Sequence, residues 1–156
     1  MEGMPKVTEE HKKLHRLAGT WEGEEKMEAS PWGPAGTARG KYTNRVDLDG
    51  FGVIQDYTQT QDGKVTFRGH GVFGYDGQQK NVSWYWVDST GHMPPGPARG
   101  NWEGNTLVLR SESPQGQGRY TFRFEGDKQL DFSLENSFDA GKSWKLFMTG
   151  SFKRIA

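Results

Sequence analysis

The sequence predicts an all-β protein: an up-and-down antiparallel β-barrel of about ten strands with one short N-terminal helix. Three observations predict it. From Trp21 onward the chain is interrupted roughly every 7 to 12 residues by glycine, Asn or Asp, the spacing of a β-meander. The later segments alternate apolar and polar residues at period two, so one face is core and the other is solvated. Aromatics reach 13% and glycine numbers 22 while total hydrophobic content is only 32%, which suits a core of few, large side chains on a turn-rich backbone.

Taken in order, the first element is the helix. Thr8 is a suitable N-cap, Glu9 and Glu10 follow in the first turn, and Leu14 and Leu17 lie at i, i+3 before Gly19 stops the helix. The breaks then read "SPWGPAG", "DLDG", "QDGK", "YDGQQ", "GHMPPGP", "EGN", "SPQGQG", "EGDK" and "DAGK". Nine breaks separate about ten strands, with no helical insert to allow parallel crossovers. Leu107 and Leu109, then Tyr120, Phe122 and Phe124, then Leu130, Phe132 and Leu134, then Trp144, Leu146 and Met148 supply the inward faces. A sheet of this size closes on itself to remove its edges. One domain spans 1–156, with 1–18 as the helical lead-in and 19–154 as the barrel.

Lys plus Arg and Asp plus Glu both number 20, so no net charge draws the chain to nucleic acid or to an anionic membrane, and neither partner is expected. There is no cysteine, which excludes disulfides, thiol nucleophiles and thiolate metal sites. No apolar run of signal-peptide or membrane-span character is present, which predicts a soluble, cytoplasmic protein. No nucleophile elbow, P-loop or dinucleotide turn appears; the glycine-rich "GHGVFG" belongs to a strand.

The run "LAGTWEGE", residues 17 to 24, resembles the Gly-x-Trp signature that opens the first strand of lipocalins and other calycins. That resemblance implies that Trp21 plugs the closed end of the barrel against a basic residue of the last strand, Arg154 or Lys153. With "SPWGPAG", "GVFGYDG" at 71 to 77 and "WYWVDSTG" at 84 to 91, nearly the whole chain resembles a bacterial family, the domain of unknown function 1579. The resemblance implies a fold and leaves the chemistry open. In the related nitrobindins a late histidine holds haem, and no histidine follows His92 here, so haem is not expected and no cofactor is assigned. Fatty-acid-binding barrels grip a carboxylate with an Arg-x-Tyr arrangement near the C-terminus, and "LFMTGSFKRIA" lacks it.

Barrels of this size enclose either a cavity or a filled core. Polar residues in register with the apolar face are therefore the informative ones, because a buried polar group needs a partner. Asn44 shares a face with Tyr42, Val46 and Leu48; Gln55 with Phe51, Val53 and Tyr57; Asp88 with Val82, Trp84 and Trp86; Asn136 with Leu130, Phe132, Leu134 and Phe138. Glu25 falls between Trp21 and Met27. Gly69 and Gly71, opposite the tryptophans, leave room for the rings or for something bound beside them. His92 sits in a loop stiffened by Pro94 and Pro95, the candidate lid. The ligand-binding candidates are Asn44, Gln55, Tyr57, Trp84, Trp86, Asp88, His92 and Asn136. His70 faces outward by its register with Thr66 and Arg68. His11 and His15 stand at i, i+4, but nothing nearby completes a metal set, and a solvated helix face is expected.

Three functions fit these features. The first is binding of a small, largely apolar molecule inside the barrel. The second is an isomerase or lyase using Glu25, Asp88, Tyr42 or Tyr57, with no catalytic residue fixed by spacing. The third is a scaffold that forms a homodimer through exposed aromatics such as Trp32.

Overall fold

A computed structural model describes residues 3–156, so the first two positions of the predicted domain lie outside it. Ten strands, β1 (Gly19–Met27), β2 (Gly36–Asp47), β3 (Gly52–Gln61), β4 (Lys64–Asp76), β5 (Asn81–Asp88), β6 (Ala98–Glu103), β7 (Thr106–Ser113), β8 (Gly116–Glu125), β9 (Gln129–Ser137) and β10 (Lys145–Arg154), follow one helix, α1 (Glu9–Leu14). Each strand pairs antiparallel with its sequence neighbours, and β10 returns to β1 from Trp21↔Arg154 to Met27↔Met148, closing the barrel. All nine predicted breaks fall between these strands. "QDGK" shows why: Asp62 and Gly63 both hold positive φ, which a tight hairpin requires. Among the described residues, no helix is long and apolar enough to cross a membrane.

The two ends differ. At the end bearing α1, Thr8 caps the helix, and its backbone N–H donates to His11 Nδ1 at 3.0 Å, histidine standing where a capping box usually has Glu or Gln. The helix gives way to a single 3-10 turn at His15–Leu17, and Leu14 and Leu17 are fully buried. Trp21 is buried beneath them. Its indole N–H donates to the Leu17 carbonyl at 3.0 Å, its ring lies edge-on to Phe124, and the Arg154 guanidinium covers it 4.4 Å from the ring centre. Arg154 also donates to the carbonyls of Ala18, at 2.6 Å, and Asp127, at 2.9 Å. The expected plug is therefore present with Arg154 as its partner, while Lys153 faces outward opposite Glu22.

The structure corrects four expectations about orientation. Val46 and Leu48 do not continue the inward face of β2: they are 41% and 58% exposed, because the strand passes the plug there and turns with positive φ at Leu48 and Asp49. Phe138 lies beyond the end of β9, 60% exposed, against Trp32, and the buried residue there is Ser137. In β10, Leu146 pairs with Glu135 and Met148 with Leu134, leaving Phe147 as an extra residue; this β-bulge turns Leu146 outward. Trp144 precedes the strand and stacks under the Arg119 guanidinium at 4.3 Å. Finally, the helix histidines are half-buried against the barrel end: His15 Nε2 bonds the Gly50 carbonyl at 2.9 Å, and His11 meets Phe51 edge-on at 5.0 Å. His70 does face outward, hydrogen-bonded to Asp56 at 2.7 Å.

Candidate functional site

From the plugged end to mid-barrel, rings fill the interior. Phe73 stacks on Trp84 at 5.6 Å, Phe122 packs on Phe132 at 4.9 Å, and Tyr42 on Phe152 at 4.9 Å. Above this layer the packing loosens, although Met148 remains buried. Toward the end carrying the 28–35, 89–97 and 138–144 loops, the inward-facing Met27, Phe67, Trp86, Tyr120, Leu134 and Phe147 are only half-buried. They border the open end of the barrel, the candidate cup. The wall is weakest beside β5, whose ladder to β6 ends after three pairs at Trp84↔Ala98. From the end of β5 the chain passes to β6 through the 89–97 loop, which contains His92.

At the floor of the cup sits Glu25. It is the one charged residue that is fully buried among the described residues. Its strand neighbours are Gly150 on β10 and Ala38 on β2, the smallest side chains available, so the sheet makes a niche around the carboxyl. The Tyr57 hydroxyl donates to both carboxyl oxygens, at 2.7 and 2.6 Å, and the Gln59 amide to one of them at 3.3 Å. Burial pushes the carboxyl above its ordinary range, and the hydrogen bonds from Tyr57 and Gln59 pull it only part of the way back. Burial likewise raises the Tyr57 hydroxyl, with Tyr42 and Glu25 adding to the effect, and it raises the Tyr42 hydroxyl, with the Glu25 charge second. Neither phenol ionises near neutral pH. A carboxyl biased toward its protonated form, within hydrogen-bond reach of a phenol, can accept, donate or exchange a proton with a group placed against it.

The candidate residues fall into three groups. Tyr57 and Trp86 belong to the cup, their rings 6.0 Å apart. Asp88 stands at the rim, where it accepts from the Trp86 indole at 2.8 Å and from the backbone of Thr90 at 3.0 Å. Asn136 is half-buried near the same end, and His92 is exposed on its loop, its backbone N–H on Thr90 Oγ1 at 3.3 Å. Asn44, Gln55 and Trp84 lie deeper and bond within the protein, although the buried Asn44 Oδ1 has no partner. Asn44 donates to the Leu17 carbonyl at 3.0 Å, and Trp84 donates to Gln55 at 3.1 Å. Gly71 makes room for that pair, since a Cβ there would lie 2.5 Å from the Trp84 indole nitrogen; a Cβ at Gly69 would collide with the Trp86 ring. The space opposite the glycines is thus taken by the tryptophans.

Gln59, which completes the cluster, was not singled out in the sequence, although it continues the inward period of Gln55 and Tyr57. Gly40 and Gly150 carried a further signal: both occupy inward positions on the strands flanking β1. A depression of about 630 Å³ on the outer wall is bordered by Thr121, Ser133, Thr149 and Ser151 and also reaches Glu25, Phe132 and Gly150.

Comparison of folds finds the same architecture in solved proteins. The crystal structure of Rv2717c from M. tuberculosis superposes with a TM-score of 0.71 at 13% identity, covering 97% of this chain and 100% of that one. An S-type phycobiliprotein lyase, CPES from Guillardia theta, superposes with a TM-score of 0.66 at 10% identity, covering 97% and 99%. At such identities the likeness is one of fold. Among curated proteins, none matches this chain in sequence. The family model described as protein of unknown function, DUF1579, matches residues 6–154, nearly the full length, and the chain therefore belongs to that family.

Proposed function

We propose that the protein binds a small, largely apolar molecule in the open-end cup, its body against Trp86, Phe67 and Leu134 and its polar end toward Gln59, Tyr57 and Glu25. The observation that carries this reading is the buried polar cluster of Glu25, Tyr57 and Gln59, bordered on its open-end side by the half-buried Met27, Phe67, Trp86, Tyr120 and Leu134. An apolar cup with a few convergent polar groups is the usual form of a small-molecule site. In this reading the 89–97 loop, with His92 exposed on it, serves as the lid.

The test is retention and uptake. Protein purified without denaturant is expected to release a small molecule detectable by mass spectrometry, or to take up the neutral fluorophore N-phenyl-1-naphthylamine at one per chain, with binding weakened in Trp86→Ala. A protein that retains nothing and leaves the fluorophore dark contradicts the reading.

One observation favours a second reading, proton-transfer catalysis of isomerase or lyase type. Glu25 and Tyr57 converge at 2.6 Å in a dry niche, with burial raising both groups. The fold shared with a phycobiliprotein lyase keeps this reading in view. Conversion of the retained molecule on incubation, lost in Glu25→Gln and in Tyr57→Phe, distinguishes it from simple binding.

A further inference from the structure

Glu25 lacks something that buried carboxyls normally have. Among the described residues its neighbours offer no cation: β2 presents Tyr42 and Ala38, β3 presents Tyr57 and Gln59, and β10 presents Gly150 and Phe152. The arginines that form ion pairs do so with the outward carboxylates Glu22, Asp47, Asp56, Asp76, Glu125, Asp131 and Glu135. A buried acid without a counter-charge carries a desolvation cost that a positively charged partner would offset.

The donor that does cover it is loosely held. A single Gln59 amide nitrogen serves Glu25 at 3.3 Å, the Tyr57 hydroxyl at 3.3 Å and the Met27 sulfur at 3.8 Å. All three lie well beyond the usual optimum for such donors. Gln59 and Met27 are half-buried and stand between the carboxyl and the cup. A nitrogen entering from the cup would meet Glu25 where the amide now stands.

The walls suit the same chemistry. Tyr57 lies 6.0 Å from Trp86 at 52° and 6.0 Å from Phe67 at 64°, so three rings surround the approach at steep mutual angles. Ring faces attract a cation, most strongly when water is excluded.

We infer that the ligand of this cup carries a basic nitrogen, an alkylammonium or related cation on an apolar body, which displaces the Gln59 amide and pairs with Glu25. This inference rests on the binding reading above and narrows it to a ligand class. The pairing ionises Glu25: the carboxyl proton leaves to solvent and the ammonium keeps its own.

The experiment uses phenylalkylamines with two to six methylenes and the matching alcohols, titrated calorimetrically into the full-length protein. The best amine is expected to bind at least tenfold tighter than its alcohol, and Glu25→Gln to remove that preference while retaining the alcohol. Wild-type protein supplies an independent readout should the variant fold poorly. In phosphate and MES buffers, amine binding should release up to one proton at pH values below the raised Glu25 pKa and none above it. Deprotonation of the amine itself would persist to about pH 10. Alcohols binding as tightly as amines, or amines binding with no proton release confined to low pH, would overturn the inference and leave the cup intact as an apolar site. Binding of neither series would count against both.

Discussion

Gly40 on β2 lies where any side chain would strike the carboxyl of Glu25: a Cβ at Gly40 would stand 2.5 Å from Glu25 Cδ and within 2.7 Å of both oxygens. The backbone there has ordinary extended geometry, so glycine is required by the approach and not by φ. Gly40→Ala is expected to destabilise the barrel by about 1–3 kcal/mol, the range for overpacking. In a Glu25→Ala background the same change should cost less than half as much, because the obstruction is gone and the methyl fills the vacated space. Urea unfolding of the four proteins measures this coupling, and equal costs in both backgrounds would place the strain elsewhere.

The second prediction concerns pH. Glu25 is a carboxyl whose folded pKa is raised by burial, so between its ordinary value and its folded value the native state holds a proton that the unfolded state has lost. Its contribution is therefore fully present at low pH and declines as pH rises through the folded pKa, by about 1.4 kcal/mol for each unit of elevation. Glu25→Gln removes that dependence. The variant should match wild type near pH 4 and exceed it progressively at higher pH, in stability curves taken at constant ionic strength. A wild type that gains on the variant as pH rises would mean that Glu25 is held as a carboxylate.

The third prediction tests the plug. Trp21→Ala removes a fully buried indole and its hydrogen bond to Leu17, and is expected to cost about 3–5 kcal/mol. Arg154→Ala removes the guanidinium from the indole face and leaves the Ala18 and Asp127 carbonyls without their donor, a loss of about 1–3 kcal/mol. Thermal or urea unfolding ranks the two. Because Trp21 and Arg154 hold carbonyls of the 3-10 turn and the residue after it, which follow directly on α1, both variants should also loosen this segment, seen as faster amide exchange at Leu14 and Leu17.

The fourth follows from Gly71. An alanine there would press on the Trp84 indole nitrogen and on Gln55 Oε1, which would lie only 2.6 Å from the new Cβ. Gly71→Ala should therefore break the Trp84 to Gln55 hydrogen bond, shift the Trp84 indole N–H resonance and flatten the near-ultraviolet circular dichroism, while barrel closure survives.

The fold was legible because its signals are local. Asp62-Gly63 and the other turn sequences mark where strands reverse, and Tyr120, Phe122 and Phe124 mark which face is core, whatever the neighbouring strands do. The misplaced side chains depend on neighbours instead. The bulge at Phe147 exists only through the register of β10 against β9, and period two run through it turns Leu146 inward by mistake. Val46 and Leu48 fail because periodicity does not say where a strand leaves the barrel. The cluster at Glu25 was half legible for the same reason. Its members could each be read as inward-facing, but their meeting depends on the stagger of β1, β2 and β3, which sets Glu25 beside Ala38 and Tyr42 beside Tyr57.

The central claim is that the half above Glu25 receives a ligand and the half below does not. The six tryptophans report on both. Indole N–H resonances of ¹⁵N-labelled protein, followed while a phenylalkylamine or its alcohol is added, test it most directly. The Trp86 signal should move most, because its N–H bridges to Asp88 at the rim, while Trp21 and Trp102 at the plugged end stay in place. Movement confined to Trp144 on the outside, or an unmoved Trp86 under saturating probe, would contradict the account.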